Sequence, residues 1–426
     1  MRMNSDWLLS NRCKDLFRIP LLLILLSVLP SSCVKIENDS EESLQSTVLV
    51  YMAADNNLSV KVNGNVNGMK YSIRNIGDNM NLVLFIDVPG KIPCLIQMNG
   101  DHNDTLMVYD KSLDSTDPTV LHDVIEYVLE HYKSDQYGLV MWSHGMGWLP
   151  GSKLHNVAYN MGYAQKRGGG EDSDEPYAEN IYNLYTGFTK TFGLEGVQGE
   201  FRFMELQDMV NAIPDNKFDF IMFDACFMSS IEVVYALRNK CRYFIGSSYE
   251  IVSEGFPYSE MTSDLLYGRL LKACREFYSH YNLQQGWKQM GGIALIRTDK
   301  LERLATSFGK IASNSKDTIP DINTENLQRF DCFSHHVFFD LEDVAGYMCN
   351  DPVLMAEFRQ ALNDCVLYSK STDYIFKGEH LNTSYMDEIK INSYCGLSVF
   401  VPVKKFNKMG LIDEYRKTEW SRETGY

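Results

Sequence analysis

Two apolar runs that each stop at a reactive side chain constrain this chain more than any other feature. One is Tyr137-Gly138-Leu139-Val140-Met141-Trp142, followed by Ser143-His144-Gly145. The other is Phe218-Asp219-Phe220-Ile221-Met222-Phe223, followed by Asp224-Ala225-Cys226. Runs of this length, rich in β-branched and aromatic residues, read as strands buried on both faces, as in a parallel sheet. Open α/β sheets carry their chemistry just beyond the carboxyl ends of such strands. His144 and Cys226, far apart in sequence, are thereby predicted to meet at one sheet edge. A thiol beside an imidazole is a nucleophile beside its base.

The flanking pattern supports an α/β class. Residues 47–53 read as the first strand, punctuated by Asp55-Asn56-Asn57 and followed by a polar helical segment. Residues 81–88 form a second strand, and 94–98 with 106–109 a hairpin. Asp117-Pro118 opens a helix, with Asp at the N-cap and Pro at the first position. Val120, Val124, Tyr127, Val128 and Tyr132 line one face of it. Further helices are predicted at 203–213, 229–238, 259–282, 300–312 and 341–349. Strands are predicted at 242–247, 292–297 and 394–403. This alternation argues for a mostly parallel central sheet with helices on both faces. The expected organisation is a core over 47–300 and a C-terminal α/β subdomain, 301–426, packed on it. From 147 to 199 the periodicity fails, and so long a loop inside a domain is usually functional or disordered.

The formal net charge is -16, and no basic stripe marks a nucleic-acid partner. The acidity suits steering of a cationic substrate, or serves solubility alone. Near the N-terminus, Arg2, Arg12, Lys14 and Arg18 precede an apolar stretch, 19–29, interrupted by Pro20. That stretch is short for a membrane span and fits a secretory signal. Ser31-Ser32-Cys33 resembles a bacterial lipoprotein processing site. Residues 1–32 are then a signal peptide, Cys33 the lipidated N-terminus, and 33–46 a polar tether. The chain is expected at the bacterial cell envelope, held to a membrane by its lipid. The alternative is an ordinary cleaved signal with an incidental cysteine. Ten cysteines include no Cys-x-x-Cys pair, so no metal is expected. Cys349 and Cys395, in apolar contexts, read as buried fillers. A monomer is expected.

Cys226 precedes Phe227-Met228-Ser229-Ser230, which is predicted to open a helix whose dipole would favour a thiolate. Gly145 and Gly147 after His144 let the backbone approach a ligand closely. The Gly145 and Cys226 amides are the natural oxyanion donors. Peptide-bond cleavage needs a thiolate, a proton carrier for the leaving amine, and such donors. Asp224 is a charge at the strand end, or simply a capping carboxylate.

Four segments carry a family resemblance. They are Val48-Leu49-Val50-Tyr51-Met52-Ala53-Ala54-Asp55-Asn56-Asn57-Leu58, Trp142-Ser143-His144-Gly145-Met146-Gly147-Trp148, Phe223-Asp224-Ala225-Cys226-Phe227-Met228, and Gly246-Ser247-Ser248-Tyr249 through Gly255-Phe256-Pro257-Tyr258. In order and spacing they resemble the clostripain-like cysteine peptidases, which share the caspase–gingipain–legumain fold. The resemblance implies a three-layer α/β sandwich and a dyad of His144 as base and Cys226 as nucleophile. It implies protein or peptide substrates cut after Arg or Lys, with Asp224 in the S1 pocket and Glu254 as a second acid. A basic side chain entering a pocket needs such a partner. For Glu254 a solvated surface role is the alternative. Residues 249–253 lack the family's usual Pro-Gly pattern, which leaves the specificity loop open.

Relatives are often nicked by themselves between the His and the Cys. Here Lys166 and Arg167, beside three glycines, are the preferred candidates, with Lys153 another. No cofactor is required by the chemistry. Calcium dependence stays open, with the acidic run 171–175 either a ligand source or a solvated loop. Two rivals remain: a catalytically inactive surface lipoprotein that binds through this fold, and a peptidase with Asn or Asp preference. An acidic S1 pocket disfavours Asp.

Overall fold

The computed structural model describes residues 45–100, 102–151, 192–195, 202–333, 335–376 and 388–426. The signal segment, Cys33, the tether as far as residue 44, Lys153, Lys166, Arg167 and the acidic run 171–175 lie outside the described residues.

The chain begins with β1 (Ser46–Ala53), α1 (Ser59–Ser72) and β2 (Met80–Asp87). A hairpin of β3 (Cys94–Met98) and β4 (Asn103–Val108) leads to α2 (Pro118–His131) and β5 (Gln136–Trp142). Next come β6 (Phe192–Glu195), β7 (Arg202–Met204), α3 (Leu206–Ala212), β8 (Phe218–Asp224), α4 (Ile231–Ala236) and β9 (Cys241–Gly246). Then follow α5 (Tyr258–Leu266), α6 (Leu270–Asn282), β10 (Gly292–Arg297) and α7 (Leu301–Asn314). The remainder includes β11 (Phe339–Asp340), α8 (Leu341–Met348), α9 (Pro352–Cys365) and β12 (Val366–Ser371). Last come three short strands, β13 (Tyr374–Phe376), β14 (Glu388–Lys390) and β15 (Ser398–Val399), and the helices α10 (Leu411–Tyr415) and α11 (Glu419–Thr424).

Nine strands form one sheet in the order β12-β10-β9-β8-β5-β1-β2-β3-β4. The centre, from β9 to β2, is parallel, and both edges are antiparallel. The central strands are buried apolar runs because helices cover both faces. On one face α1 packs on α5 and α5 on α6. On the other, α2 meets α3, α3 meets α4, α4 meets α11, and α11 and α9 pack on α7. Gly138 inside β5 leaves room for the Phe220 ring of β8, which a Cβ there would overlap. The C-terminal part contributes β12 to one sheet edge.

The order places a switch point at the centre. The chain goes from β1 to β2 on one side, then returns to β5 on the other side of β1. At such a point the connections diverge and leave a crevice beyond the carboxyl ends.

Several local expectations are revised. α2 starts as predicted, with the Asp117 side chain accepting from the Thr119 amide at 2.8 Å. The single helix expected over 259–282 is two, because Gly268 (φ +68°) turns the chain between α5 and α6. The helix expected over 203–213 is preceded by β7 and begins at Leu206. The strand expected over 394–403 narrows to the two residues of β15, which pair with β11.

Candidate active site

The carboxyl ends of β1, β5 and β8 lie level: Met52 pairs with Trp142, and Trp142 with Asp224. Ser143 fixes the next position against both neighbours. Its Oγ donates to the Ala53 carbonyl at 2.6 Å, and its amide to the Asp224 carbonyl at 3.3 Å. His144 therefore leaves β5 in a fixed direction. Its Nε2 lies 2.7 Å from Asn57 Oδ1, at the end of β1. Burial pushes its imidazole down to about 4, so the ring is neutral at neutral pH. A neutral ring can act as a base.

Gly145 and Cys226 are in close backbone contact. A Cβ on Gly145 would lie 2.6 Å from the Cys226 carbonyl oxygen. The two sequence-predicted strand ends are thus brought together. On its other side, the His144 carbonyl accepts from the Gly193 amide at 3.1 Å, and Gly145 bridges to Phe192. The segment that re-enters at β6 is therefore docked on the histidine turn.

The helix expected over 229–238 starts at Ile231, with Ser230 at its N-cap. Cys226 sits in the turn before it, so its thiol has no place at the helix N-terminus. Phe227 breaks the helix because its backbone lies in the left-handed region, at φ +62°. A non-glycine residue there is strained and persists only where its surroundings over-determine it. The surroundings are specific. The Phe227 amide donates to the Tyr249 carbonyl at 3.2 Å. The Phe227 ring stacks on Phe338 at 4.6 Å and meets Phe333 at 5.6 Å. Phe338 also closes on Gly147 (φ +61°), whose missing Cβ would stand 2.8 Å from it. Buried Asp331 holds the Phe338 loop by accepting from the amides of Phe333, Val337 and Phe338 and from His336 Nδ1. The half-buried Cys226 Sγ receives the Ile251 amide at 3.3 Å and lies 3.9 Å from the Ile251 carbonyl.

Asp224 is 5% exposed. Its Oδ2 accepts from the Phe256 amide at 3.0 Å and the Tyr258 hydroxyl at 2.9 Å. Gly255 (φ +74°) lets the loop pass over the carboxylate, since a Cβ there would lie 2.7 Å from Oδ2. Burial pushes Asp224 up to about 6, against the pull of those two hydrogen bonds. Glu254 is different: it is 41% exposed at its side chain, 3.2 Å from Lys288 and 3.9 Å from Lys61. Partial burial raises its pKa, but a backbone amide and the two lysines outweigh this and hold it low.

Asn57, Ile251, Phe338 and Asp331 were not singled out by sequence. Asn57 carried a usable signal, because it follows the first strand at the topological switch point. The others touch the site from distant segments and carry no local pattern.

A mostly parallel, helix-flanked sheet with a thiol and an imidazole at adjacent strand ends defines a cysteine peptidase of the caspase-like class. The chain belongs to the clostripain family, whose family model matches residues 50–171 and 182–405. Among solved structures it is similar to an inactive zymogen protease from Parabacteroides distasonis, at 26% identity and a TM-score of 0.72. That match covers 89% of this chain and 98% of the other. It is also similar to a secreted cysteine protease from Bacteroides thetaiotaomicron in complex with an irreversible peptide inhibitor. There the identity is 25% and the TM-score 0.70, over 89% of this chain and 99% of the other. No curated protein matches the chain. Among the described residues, no helix is long and apolar enough to cross a membrane, and no group of three or more His, Cys, Asp or Glu side chains is arranged to hold a metal ion.

Proposed function

We propose that this cysteine peptidase cleaves peptide bonds after Arg or Lys, with Cys226 as nucleophile and His144 as proton carrier. The carrying observation is the contact between Gly145 and the Cys226 carbonyl, which puts the two strand ends side by side. His144 takes the Cys226 proton as Sγ attacks the scissile carbonyl carbon. It then gives that proton to the amine nitrogen as the C–N bond breaks. Water next attacks the thioester, with His144 again as base, and releases the acid. The Gly145 and Cys226 amides hold the oxyanion of both tetrahedral intermediates.

Asp224 pairs with the basic P1 side chain. Its Oδ2 is fixed by Phe256 and Tyr258, and its Oδ1 accepts no hydrogen bond among the described residues. A fixed carboxylate with one oxygen available suits a guanidinium or ammonium. Glu254 is already matched by Lys61 and Lys288, so its part is to shape the loop rather than to supply pocket charge.

The chain is exported, anchored through lipid on Cys33, and activated by its own cut at Lys166 or Arg167. The secreted and zymogen relatives support export and latency. The Ile251 contacts on Cys226 Sγ are consistent with a latent thiol before the cut. The test is hydrolysis of P1-Arg and P1-Lys peptides by the chain after Cys33, with mass mapping of any nick. A fully active chain with no nick removes the activation step. An Asp224→Asn variant that still prefers basic P1 removes the assigned pocket.

A further inference from the structure

We infer that Asn65 is a positioning residue for P1 recognition, because it ties the loop that passes over Asp224 to the strand that carries His144. The inference rests on the peptidase reading above and deepens it at the S1 pocket.

The support of the pocket loop begins on α1. Lys61, Asn65, Gly68 and Ser72 recur at helical spacing and share one face of that helix. The face runs along the chain from Glu254 into α5. Lys61 Nζ lies 3.9 Å from Glu254 Oε1, and Asn65 Nδ2 donates to the Glu254 carbonyl at 2.9 Å. Gly68 lets the chain approach, since a Cβ there would stand 3.1 Å from the Ser259 nitrogen. Ser72 Oγ accepts from the Ser263 amide at 3.0 Å. The supported segment carries Gly255, Phe256 and Tyr258, which lie on the Asp224 carboxylate.

Asn65 also reaches the catalytic strand. It is buried, and its Oδ1 accepts from Trp142 Nε1 at 2.9 Å. Trp142 is the last residue of β5, two before His144. An indole N–H only donates, so it holds the amide oxygen of Asn65 toward Trp142 and turns the NH2 group toward the Glu254 carbonyl. One side chain therefore sets the distance between the end of β5 and the pocket loop.

The carbonyl of Glu254 matters here more than its carboxylate. The carboxylate meets Lys61 and Lys288 at the surface, where such pairs hold weakly. The carbonyl is held by a buried amide, and the next one, of Gly255, accepts from the Tyr281 hydroxyl. Two successive carbonyls are thus pinned, from α1 and from α6. With its main chain fixed, the loop keeps the Phe256 amide and the Tyr258 hydroxyl on Asp224 Oδ2, and the carboxylate is kept from rotating.

The test is steady-state kinetics of the active chain after Cys33 on P1-Arg and P1-Lys peptides. Asn65→Ala leaves the Glu254 carbonyl and the Trp142 N–H without this partner. KM for both peptides is expected to rise about 10-fold. The expected kcat stays within about threefold, because a P1 contact is made alike in bound substrate and transition state. Alkylation of Cys226 by iodoacetamide, which needs no P1 contact, is expected at the parent rate. Trp142→Phe keeps Asn65 but frees its amide to turn. It is expected to raise KM a few-fold and to add nothing further on top of Asn65→Ala. An unchanged KM in Asn65→Ala overturns the inference. So does a fall in kcat and alkylation rate with KM kept, or full additivity of the two substitutions. A parent chain that cleaves no basic peptide would instead defeat the peptidase reading, so the two failures are distinct.

Discussion

Gly145→Ala is the sharpest perturbation that the packing offers. The added Cβ would stand 2.6 Å from the Cys226 carbonyl oxygen, 3.0 Å from Ala225 Cβ and 3.1 Å from Met228 Sδ. The nearest of these is backbone and cannot swing aside. Ordinary contact begins near 3.4 Å, so the β5 and β8 ends must part by about 0.8 Å. Overpacking of this kind costs about 1–3 kcal/mol of stability. Displacing catalytic groups by about 1 Å costs on the order of 100-fold in rate. The expected result is a Tm lower by a few degrees and a kcat about 100-fold lower, with KM for a P1-Arg peptide nearly kept. Gly64→Ala is the control, because a Cβ there meets nothing within 4 Å. In a helix interior that change gains about 0.5–1 kcal/mol and should leave kcat alone. If Gly145→Ala turns over within threefold of the parent chain, the strand-end contact does not set the catalytic geometry.

Other outcomes follow from the same structure. Because burial raises Asp224 to about 6, the pocket should lose its charge as pH falls through that value. KM for P1-Arg should climb below pH 6, and Asp224→Asn should flatten that climb while raising KM at neutral pH. Gly255→Ala puts a Cβ 2.7 Å from Asp224 Oδ2 at φ +74°, a strain of about 1–2 kcal/mol. It should raise KM for basic peptides more than it lowers kcat. Glu254→Gln, at an exposed ion pair, should change stability by less than about 1 kcal/mol and leave KM within a few-fold. Buried Glu232 is raised to about 7 by burial, against the pull of hydrogen bonds that include the Phe400 amide. Its folded pKa exceeds its unfolded one, so the folded state binds the extra proton between about pH 4 and 7. Stability should fall as pH rises through that window and then level. Glu232→Gln should remove that slope in thermal unfolding.

The sheet was legible because its central strands are buried on both faces and therefore keep unbroken apolar runs. Such runs at 137–142 and 218–223 need no knowledge of their neighbours. The start of α2 was legible for a local reason, the Asp117 cap before Pro118. The turn that precedes α4 was not, because Phe227 adopts a left-handed backbone held by Phe338, a residue from a distant loop. The break between α5 and α6 turns on Gly268, where the apolar pattern continues on both sides. At the site, the His144 and Cys226 strand ends were visible as strand punctuation. The partners of Glu254 were hidden, since Lys61 and Lys288 reach it from α1 and from beyond α6. Sequence pattern records what a segment buries, and records poorly what a distant segment places against it.

The central claim is that Cys226 and His144 form the dyad of a basic-specific peptidase. The most direct measurement is hydrolysis of P1-Arg, P1-Lys, P1-Asn and P1-Asp fluorogenic peptides by the chain after Cys33. It is run with and without calcium chelation and after limited tryptic nicking, beside Cys226→Ala and His144→Ala. The expected result is cleavage of the Arg and Lys peptides alone, abolished in both variants. Cleavage that survives Cys226→Ala, or a preference for P1-Asn or P1-Asp, would contradict it.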